Sequence, residues 1–145
     1  METEKLGIAV VTGSSTGIGF ASALELARRG YRVFAGMRNT AKAEPLTKIA
    51  EQEDLGITVV AMDVTSAASC DAAFTAVRQS GPIDVLVNNA GITKDNIIVR
   101  MKEEDWDSVL NTNLKGCFNG IKAVTRPMIR KKNGRIINIT SVIPD

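Results

Sequence analysis

The sequence contains no histidine, and its 145 residues include a single tyrosine, a single tryptophan and two cysteines. Because histidine is absent, the chain can form neither a Ser-His-Asp triad nor a histidine-ligated zinc or haem site, and we expect no metal site. Cys70 and Cys117 are isolated rather than paired in a CxxC motif, which is typical of small core residues in a reducing compartment. Hydrolytic and metal-dependent chemistries of these kinds are therefore excluded.

The sequence also lacks a long hydrophobic run and a strong charge of one sign. No apolar stretch approaches the roughly 18 residues of a membrane span, and residues 1–5 lack the apolar character of a signal peptide. The net charge is only +2, and no aromatic residues interleave with the basic ones as in many nucleic-acid sites. We therefore expect a cytoplasmic globular protein that binds neither a membrane nor nucleic acid.

Short runs rich in valine and isoleucine alternate with longer amphipathic stretches along the chain. Most of the runs are continuously apolar, which predicts strands covered on both faces. The predicted strands are residues 6–12, 31–36, 57–62, 83–88 and 135–140. The predicted helices are residues 17–29, 41–53, 66–79 and 103–131. We expect the last helix to bury an apolar stripe of Trp106, Val109, Leu110, Leu114, Cys117 and Ile121.

This alternation of strands and single helices predicts right-handed βαβ units. The expected fold is α/β, a three-layer doubly wound parallel sheet of the Rossmann type with strand order 3-2-1-4-5. Ligands of such sheets bind at the carboxyl ends of the strands, where the strand order reverses.

A glycine-rich turn, Thr12 to Gly19, lies between the first predicted strand and the first predicted helix. Glycines there let backbone amides approach a pyrophosphate at the positive end of the helix, unless they only close a tight turn. Gly13 would turn the chain, while Gly17 and Gly19 would keep side chains away from the ligand. The GxxxGxG spacing differs from GxGxxG, and the sequence lacks the Lys-Ser or Lys-Thr of a Walker A motif. The predicted cofactor contacts of this turn are Gly13, Ser15, Thr16, Gly17, Ile18 and Gly19.

This turn, together with Asn88-Asn89-Ala90-Gly91 at the end of the fourth predicted strand, resembles the short-chain dehydrogenases/reductases. The resemblance extends over essentially the whole chain, with the motifs in the right order. From Gly91 onward the sequence is most similar to the β-ketoacyl-acyl-carrier-protein reductases, whereas the first half is equally similar to hydroxysteroid dehydrogenases. The resemblance implies an oxidoreductase that transfers hydride to a ketone, such as a 3-oxoacyl thioester.

The end of the second predicted strand bears on the choice of cofactor. An NAD site places a carboxylate on the ribose about 20 residues past the glycines, whereas an NADP site places a cation beside the 2′-phosphate. Arg38 stands at this position and no acid does, so NADP(H) is favoured over NAD(H). Thr16 occupies a place where many NADP-specific relatives carry a second basic residue. A solvated surface arginine is the alternative role for Arg38.

Two further segments carry cofactor contacts that the resemblance implies. Asp63 would accept a hydrogen bond from the adenine amino group, with Val64 beside it, although Asp63 could equally cap the following helix. Asn88 would tie the fourth strand to its neighbours. The residues expected against the adenine ribose are Asn89, Ala90 and Gly91.

Asn113 falls on the expected apolar stripe of the last helix, so we expect a buried amide with hydrogen-bond partners. It matches the family's catalytic asparagine, which distorts the helix and exposes a carbonyl that holds a relay water; an ordinary core amide is the alternative. Ser141 follows the fifth predicted strand and matches the serine that polarises the substrate carbonyl, with a turn serine as the alternative.

The family's proton donor is a tyrosine whose pKa is lowered by a lysine four residues on, expected about a dozen residues beyond Ser141. The sequence ends at Asp145, and Tyr31 is followed by Ala35 at the corresponding position. We therefore expect residues 1–145 to form a truncated NADP-binding domain, incomplete at its C-terminal edge and inactive by itself. The alternative is a non-catalytic dinucleotide-binding module, truncated or engineered.

Basic residues accumulate at the end of the last predicted helix. The resemblance implies an acyl carrier protein as their partner, whereas cations also favour a helix C-terminus without any partner. The fifth strand would be an exposed apolar edge, so we expect a homo-oligomer. The residues proposed for the carrier protein are Arg126, Arg130, Lys131 and Lys132.

Overall fold

The computed structural model describes residues 5–140, in which every predicted strand and helix is present. The strands are β1 (Gly7–Val11), β2 (Tyr31–Met37), β3 (Ile57–Ala61), β4 (Ile83–Asn88) and β5 (Arg135–Asn138). The α-helices are α1 (Gly17–Arg28), α2 (Glu44–Gln52), α3 (Ala67–Arg78), α4 (Glu103–Val109) and α5 (Gly116–Lys131). Short 3-10 helices span Thr40–Ala43 and Ile98–Arg100, and a π-helix spans Leu110–Lys115.

The five strands pair in parallel in the order β3-β2-β1-β4-β5, which confirms the predicted doubly wound sheet. β1 lies at the centre, where Val11 pairs with Ala35 on one side and with Val87 on the other. The chain moves from β1 to β2 in one direction and later continues at β4 on the opposite side. The strand order therefore reverses beside β1, and a crevice forms at the carboxyl ends of these strands.

Alternate residues of β1 enter two separate cores, one on each face of the sheet. Ile8 and Val10 pack with apolar residues of α3 and α5, whereas Ala9 and Val11 pack with those of α1 and α2. This strand is thus covered on both faces, as its continuous apolar sequence predicts. Cys70 also lies in the core, and burial raises the pKa of its thiol.

The prediction that the last helix buries an apolar stripe is wrong. Residues 103–131 are helical throughout, but Trp106 and Leu114 are 52% and 67% exposed. A side chain at Gly120 would come within 2.6 Å of Asn88 Oδ1, so α5 approaches β4 through a glycine rather than through large apolar residues. The buried residues of α5 are Gly116, Asn119, Gly120, Val124 and Met128.

β5 forms one edge of the sheet, and all four of its residues are exposed. Ile136 and Ile137 are 38% and 45% exposed, which confirms the predicted apolar edge. A second exposed apolar surface runs along the helical segment from Trp106 through Leu114 to Phe118. Among residues 5–140, no helix combines the length and the apolar character that crossing a membrane requires.

We expect the 145-residue chain to self-associate, because exposed apolar strand edges and helix faces favour pairing with a second copy. Sedimentation velocity should show a dimer or a larger species, which the double variant Leu114→Lys/Phe118→Lys should weaken. Leu6→Lys, at an exposed leucine outside both surfaces, is the matched control. A monodisperse monomer of the unmodified chain at micromolar concentration would contradict the prediction.

Candidate functional site

A cleft of about 310 Å³ opens at the carboxyl ends of β1 to β4, beside the point where the strand order reverses. Its walls are the segments that follow each of these strands, together with one residue of the π-helix. The sequence-predicted residues that line it are Gly13, Ser15, Thr16, Arg38, Asp63, Val64, Asn89, Ala90 and Gly91. The lining residues that were not predicted are Met37, Asn39, Lys42, Met62, Thr65, Ile92 and Thr112.

The turn after β1 adopts backbone conformations that favour glycine. Gly13 has φ +63° and Gly17 has φ +62°, both in the left-handed region. A side chain at Gly13 would also come within 2.9 Å of Ala90 Cα, so the turn packs directly against the segment that follows β4. α1 begins immediately after this turn, which places the positive end of the helix dipole beside the cleft wall formed by Ser15 and Thr16.

Three predicted contacts, Gly17, Ile18 and Gly19, do not line the cleft. Gly19 is buried, and a side chain there would come within 2.2 Å of the Gly13 carbonyl oxygen and 2.5 Å of Asn89 Nδ2. Packing within the protein is therefore enough to require glycine at position 19, and the expected contact of Gly19 with a ligand stays a prediction.

The buried hydroxyl of Thr12 joins the two central walls of the cleft. Its Oγ1 accepts the backbone N–H groups of Asn89 and Ala90, each at 3.0 Å. The Asn89 side chain in turn donates from Nδ2 to the Gly13 carbonyl oxygen at 3.2 Å. The sequence hint for this role is a hydroxyl residue at the end of an otherwise apolar strand, where a buried polar group needs partners.

Two cations stand on the rim of the cleft beyond β2. Arg38 lies there as predicted, and Lys42 joins it although no motif in the sequence pointed to it. Asn39 caps the 3-10 helix by accepting the Ala41 N–H at 3.0 Å, and this turn brings Lys42 back toward the cleft. Within residues 5–140, neither cation forms an ion pair with a carboxylate, so both charges are available to an anion.

Asp63 contributes a carboxylate to the wall that follows β3. Its Oδ1 accepts the Thr65 hydroxyl at 2.7 Å and the Thr65 N–H at 3.0 Å. The Thr65 hydroxyl lowers the pKa of Asp63, Arg38 lowers it further, and partial burial opposes both. The cap of α3 is Ser66, whose Oγ accepts the Ser69 N–H, so the helix-capping alternative for Asp63 is wrong.

Asn113 lies in the π-helix and is exposed, so the expected burial of its amide is wrong. The side chain nevertheless has two partners on one residue: Nδ2 donates to the Ile92 carbonyl oxygen, and Oδ1 accepts the Ile92 N–H, both at 2.8 Å. The π-helix brings this amide to the cleft segment after β4 instead of turning it into the core. Ser141, the other predicted catalytic residue, lies outside the described residues.

Asn88 is buried at the end of β4 and donates from Nδ2 to Asn138 Oδ1 at 2.9 Å. This hydrogen bond ties β4 to β5, as the sequence predicted for this residue. Tyr31 opens β2, at the end of the sheet opposite the cleft. The strand places it roughly 20 Å from Met37 on the cleft wall.

The four basic residues at the end of α5 do not form a uniform patch. Arg126, Arg130 and Lys132 are exposed, whereas the Lys131 ammonium pairs with the Asp84 carboxylate near the start of β4. The same carboxylate accepts the Ile8 N–H at 2.8 Å, so Lys131 takes part in an internal contact. Arg126 and Lys131 lie about 15 Å and about 22 Å along α5 from its first residue, Gly116, at about 1.5 Å per residue.

Replacing Thr65 with valine should raise the pKa of Asp63 toward the ordinary value of an aspartate, because the hydroxyl donor is lost. A carboxyl group whose pKa is lowered by folding stabilises the protein above its unfolded-state pKa, and this stabilisation disappears as the pH falls through the folded-state pKa. The acid-unfolding midpoint of Thr65→Val should therefore move to higher pH. An NMR titration of the Asp63 carboxyl carbon measures the shift directly.

Thr47→Val is the matched control, because the Thr47 hydroxyl donates to the Glu44 backbone carbonyl in α2 and does not contact Asp63. It should leave the titration of Asp63 unchanged. An unaltered pKa of Asp63 in Thr65→Val would show that the hydroxyl does not govern this carboxylate.

The sequence is similar to those of known proteins over nearly its whole length. A family model described as short chain dehydrogenase matches residues 7–144. The chain is 45% identical over 141 residues to a 3-oxoacyl-[acyl-carrier-protein] reductase of Staphylococcus epidermidis, and 42% identical over 137 residues to one of Thermotoga maritima. These alignments cover 93% and 94% of this chain but 56% of each relative, so the chain spans about half of their length.

Solved structures with the same architecture agree with this match. A variant of actinorhodin polyketide ketoreductase with NADPH gives a TM-score of 0.89 at 35% identity, over 93% of this chain and 53% of that one. A gluconate 5-dehydrogenase of Burkholderia cenocepacia, in complex with NADP and tartrate, gives 0.87 at 36% identity, over 95% and 55%. The family match over residues 7–144 and the likeness to these structures show that the chain belongs to the short-chain dehydrogenase family of oxidoreductases.

Proposed function

We propose that the cleft binds NADP(H) and that it serves a reductase that transfers hydride to a ketone, such as a 3-oxoacyl thioester. The observation that carries the proposal is the pair of unpaired cations, Arg38 and Lys42, on the rim of a cleft whose other wall is the glycine turn. Solved relatives described with NADP or NADPH support the same cofactor.

The residues of the cleft fit a dinucleotide. The turn with left-handed Gly13 leads into a 12-residue helix that begins at Gly17, where exposed N–H groups and the helix dipole favour a diphosphate. No acidic residue stands at the end of β2 to accept a ribose diol, whereas two cations suit a 2′-phosphate. Lys42 thus supplies the second positive charge that Thr16 does not.

The remaining walls suit the adenosine end of the cofactor. The charged Asp63 carboxylate would accept a hydrogen bond from the adenine amino group, with Val64 against the ring. Asn89, Ala90 and Gly91 would lie against the ribose, held in place by the Thr12 hydroxyl.

We propose catalytic roles for two residues, Ser141 and Asn113. NADPH, when bound, supplies the hydride. Ser141 would donate a hydrogen bond to the substrate carbonyl and polarise it toward attack. Asn113 would hold the segment after β4 through Ile92. By its resemblance to the family's catalytic asparagine, it would also lie where the distorted helix exposes a backbone carbonyl to a relay water.

The proposed substrate class follows the curated relatives, which are 3-oxoacyl-[acyl-carrier-protein] reductases. An acyl carrier protein is acidic enough to bind a basic surface, and Arg126, Arg130 and Lys132 offer exposed cations for it. Lys131 is the weakest of the four candidates, because Asp84 already neutralises it.

The cofactor proposal is tested by titrating the 145-residue chain with NADPH and NADH. NADPH should bind more tightly, and Arg38→Asp or Lys42→Glu should each weaken NADPH by about tenfold or more while leaving NADH nearly unchanged. The physical reason is that only NADPH carries the 2′-phosphate that these cations would contact.

Lys48→Glu is the matched control, because Lys48 is an exposed lysine of α2 that does not line the cleft. It changes the net charge by the same amount as Lys42→Glu and should leave the preference intact. Equal losses in the two lysine variants would assign the effect to overall charge and remove Lys42 from the site.

The reductase proposal needs the proton donor that the family places beyond Ser141. Where the coding sequence continues past Asp145 into a Tyr-x-x-x-Lys motif, the longer protein should oxidise NADPH when a 3-oxoacyl thioester is present. Ser141→Ala should then lower kcat roughly 100-fold, the usual effect of removing one hydrogen-bond donor from a developing oxyanion. Turnover insensitive to Ser141→Ala, or a stop codon directly after Asp145, would contradict the proposal.

A further inference from the structure

We propose that Asn119, near the start of α5, is a positioning residue that holds the 63–66 loop, the adenine-side wall of the cleft, in place for the nucleotide. The proposal rests on the cofactor site proposed above. It assigns a task to a buried amide that touches neither the substrate nor the cofactor.

Asn119 makes a specific long-range hydrogen bond. Its side chain is buried, and Nδ2 donates to the Val64 carbonyl oxygen at 2.8 Å. Val64 itself lines the cleft between Asp63 and Thr65. A buried amide is costly unless it finds a partner, so this contact strongly restricts where the Val64 backbone can lie.

Gly116, one turn earlier on the same helix, packs against the same residue. A side chain at Gly116 would come within 2.9 Å of Val64 Cγ2 and 3.1 Å of Val64 Cβ. α5 therefore contacts Val64 twice, through a hydrogen bond at its carbonyl and through close packing at its side chain. Both contacts fix the distance between the helix and the loop.

The opposite side of the 63–66 loop is held by α3. The Asp63 N–H donates to Ser69 Oγ at 2.9 Å, and the Ser66 N–H donates to the Asp63 carbonyl oxygen at 3.1 Å. Within residues 5–140, Asn119 supplies the side-chain hydrogen bond that links this loop to α5. Without it, the hydrogen bonds that hold the loop would come from the α3 side alone, and only packing would join the loop to α5.

Asn113 and Asn119 belong to one continuous helical segment. Asn113 binds Ile92 on the wall that follows β4, and Asn119 binds Val64 on the wall that follows β3. The segment thereby sets the spacing between the two walls. A nucleotide that spans the two walls would contact both of them at the same time only when both amides keep their hydrogen bonds.

The test uses the 145-residue chain and adenosine 2′,5′-bisphosphate, which is the adenosine half of NADP. Asn119→Leu keeps the approximate volume but removes the donor, and should weaken binding of this ligand about tenfold. Amide hydrogen exchange in the absence of ligand should accelerate at residues 63–66 and remain unchanged in β1 and β4. Gly116→Ala, which displaces Val64 by packing, should produce the same pattern. Asn119→Ala, which also removes the donor, decides the question if Asn119→Leu does not fold.

Arg78→Ala is the matched control. It removes the hydrogen bond from Arg78 Nη1 to the Ala123 carbonyl oxygen, which also contacts α5 but lies away from the loop. This variant should retain the affinity for the bisphosphate and the slow exchange at residues 63–66.

Two results would overturn the proposal: unchanged affinity in a folded Asn119→Leu, or faster exchange spread evenly over the whole sheet, which would show a role in global stability alone. Failure of the unmodified chain to bind the bisphosphate would overturn the proposed cofactor site instead. Exchange at residues 63–66 would then still decide whether Asn119 holds the loop.

Discussion

The Thr12 hydroxyl, buried at the carboxyl end of the central strand, accepts two backbone N–H groups from the segment after β4. Because β1 and β4 are neighbours in the sheet, the glycine turn and this segment leave the sheet side by side, and the hydroxyl fixes them against each other. Gly13 and Gly19 permit the contact, since side chains at either position would collide with it. The central walls of the cleft exist as one rigid unit because of this arrangement.

Charge is distributed around the cleft in a way that no single element produces. Arg38 and Lys42 follow β2, the Asp63 carboxylate follows β3, and the positive end of α1 lies beside the glycine turn. Parallel strands bring these groups to one edge of the sheet although they are distant in sequence. The cations and the carboxylate do not cancel: Arg38 lowers the pKa of Asp63 without forming an ion pair with it in the described part of the chain. The edge can therefore present opposite charges to opposite parts of one ligand.

Sequence patterns predicted the sheet, its strand order and most of the cleft, because continuous apolar runs and the strand-turn-helix position of the glycines are local features. They failed where distant segments decide the outcome. The buried face of α5 is set by the close approach of Gly120 to Asn88, which helical periodicity cannot show. Lys42 reaches the cleft only because Asn39 turns the chain, and Asn113 bonds outward because the π-helix changes the direction of its side chain.

The π-helix between α4 and α5 also has a consequence for which changes this chain can accept. A π-turn corresponds to an α-helix that has gained one residue, and each residue turns an α-helix by about 100°. Removal of Leu114 or Lys115 would shorten the spacing between Asn113 and Asn119 from six residues to five. This would change both the distance between the two amides and their relative direction, so the hydrogen bonds to Ile92 and Val64 would no longer be aligned together. Along this stretch the number of residues is more tightly constrained than their identities.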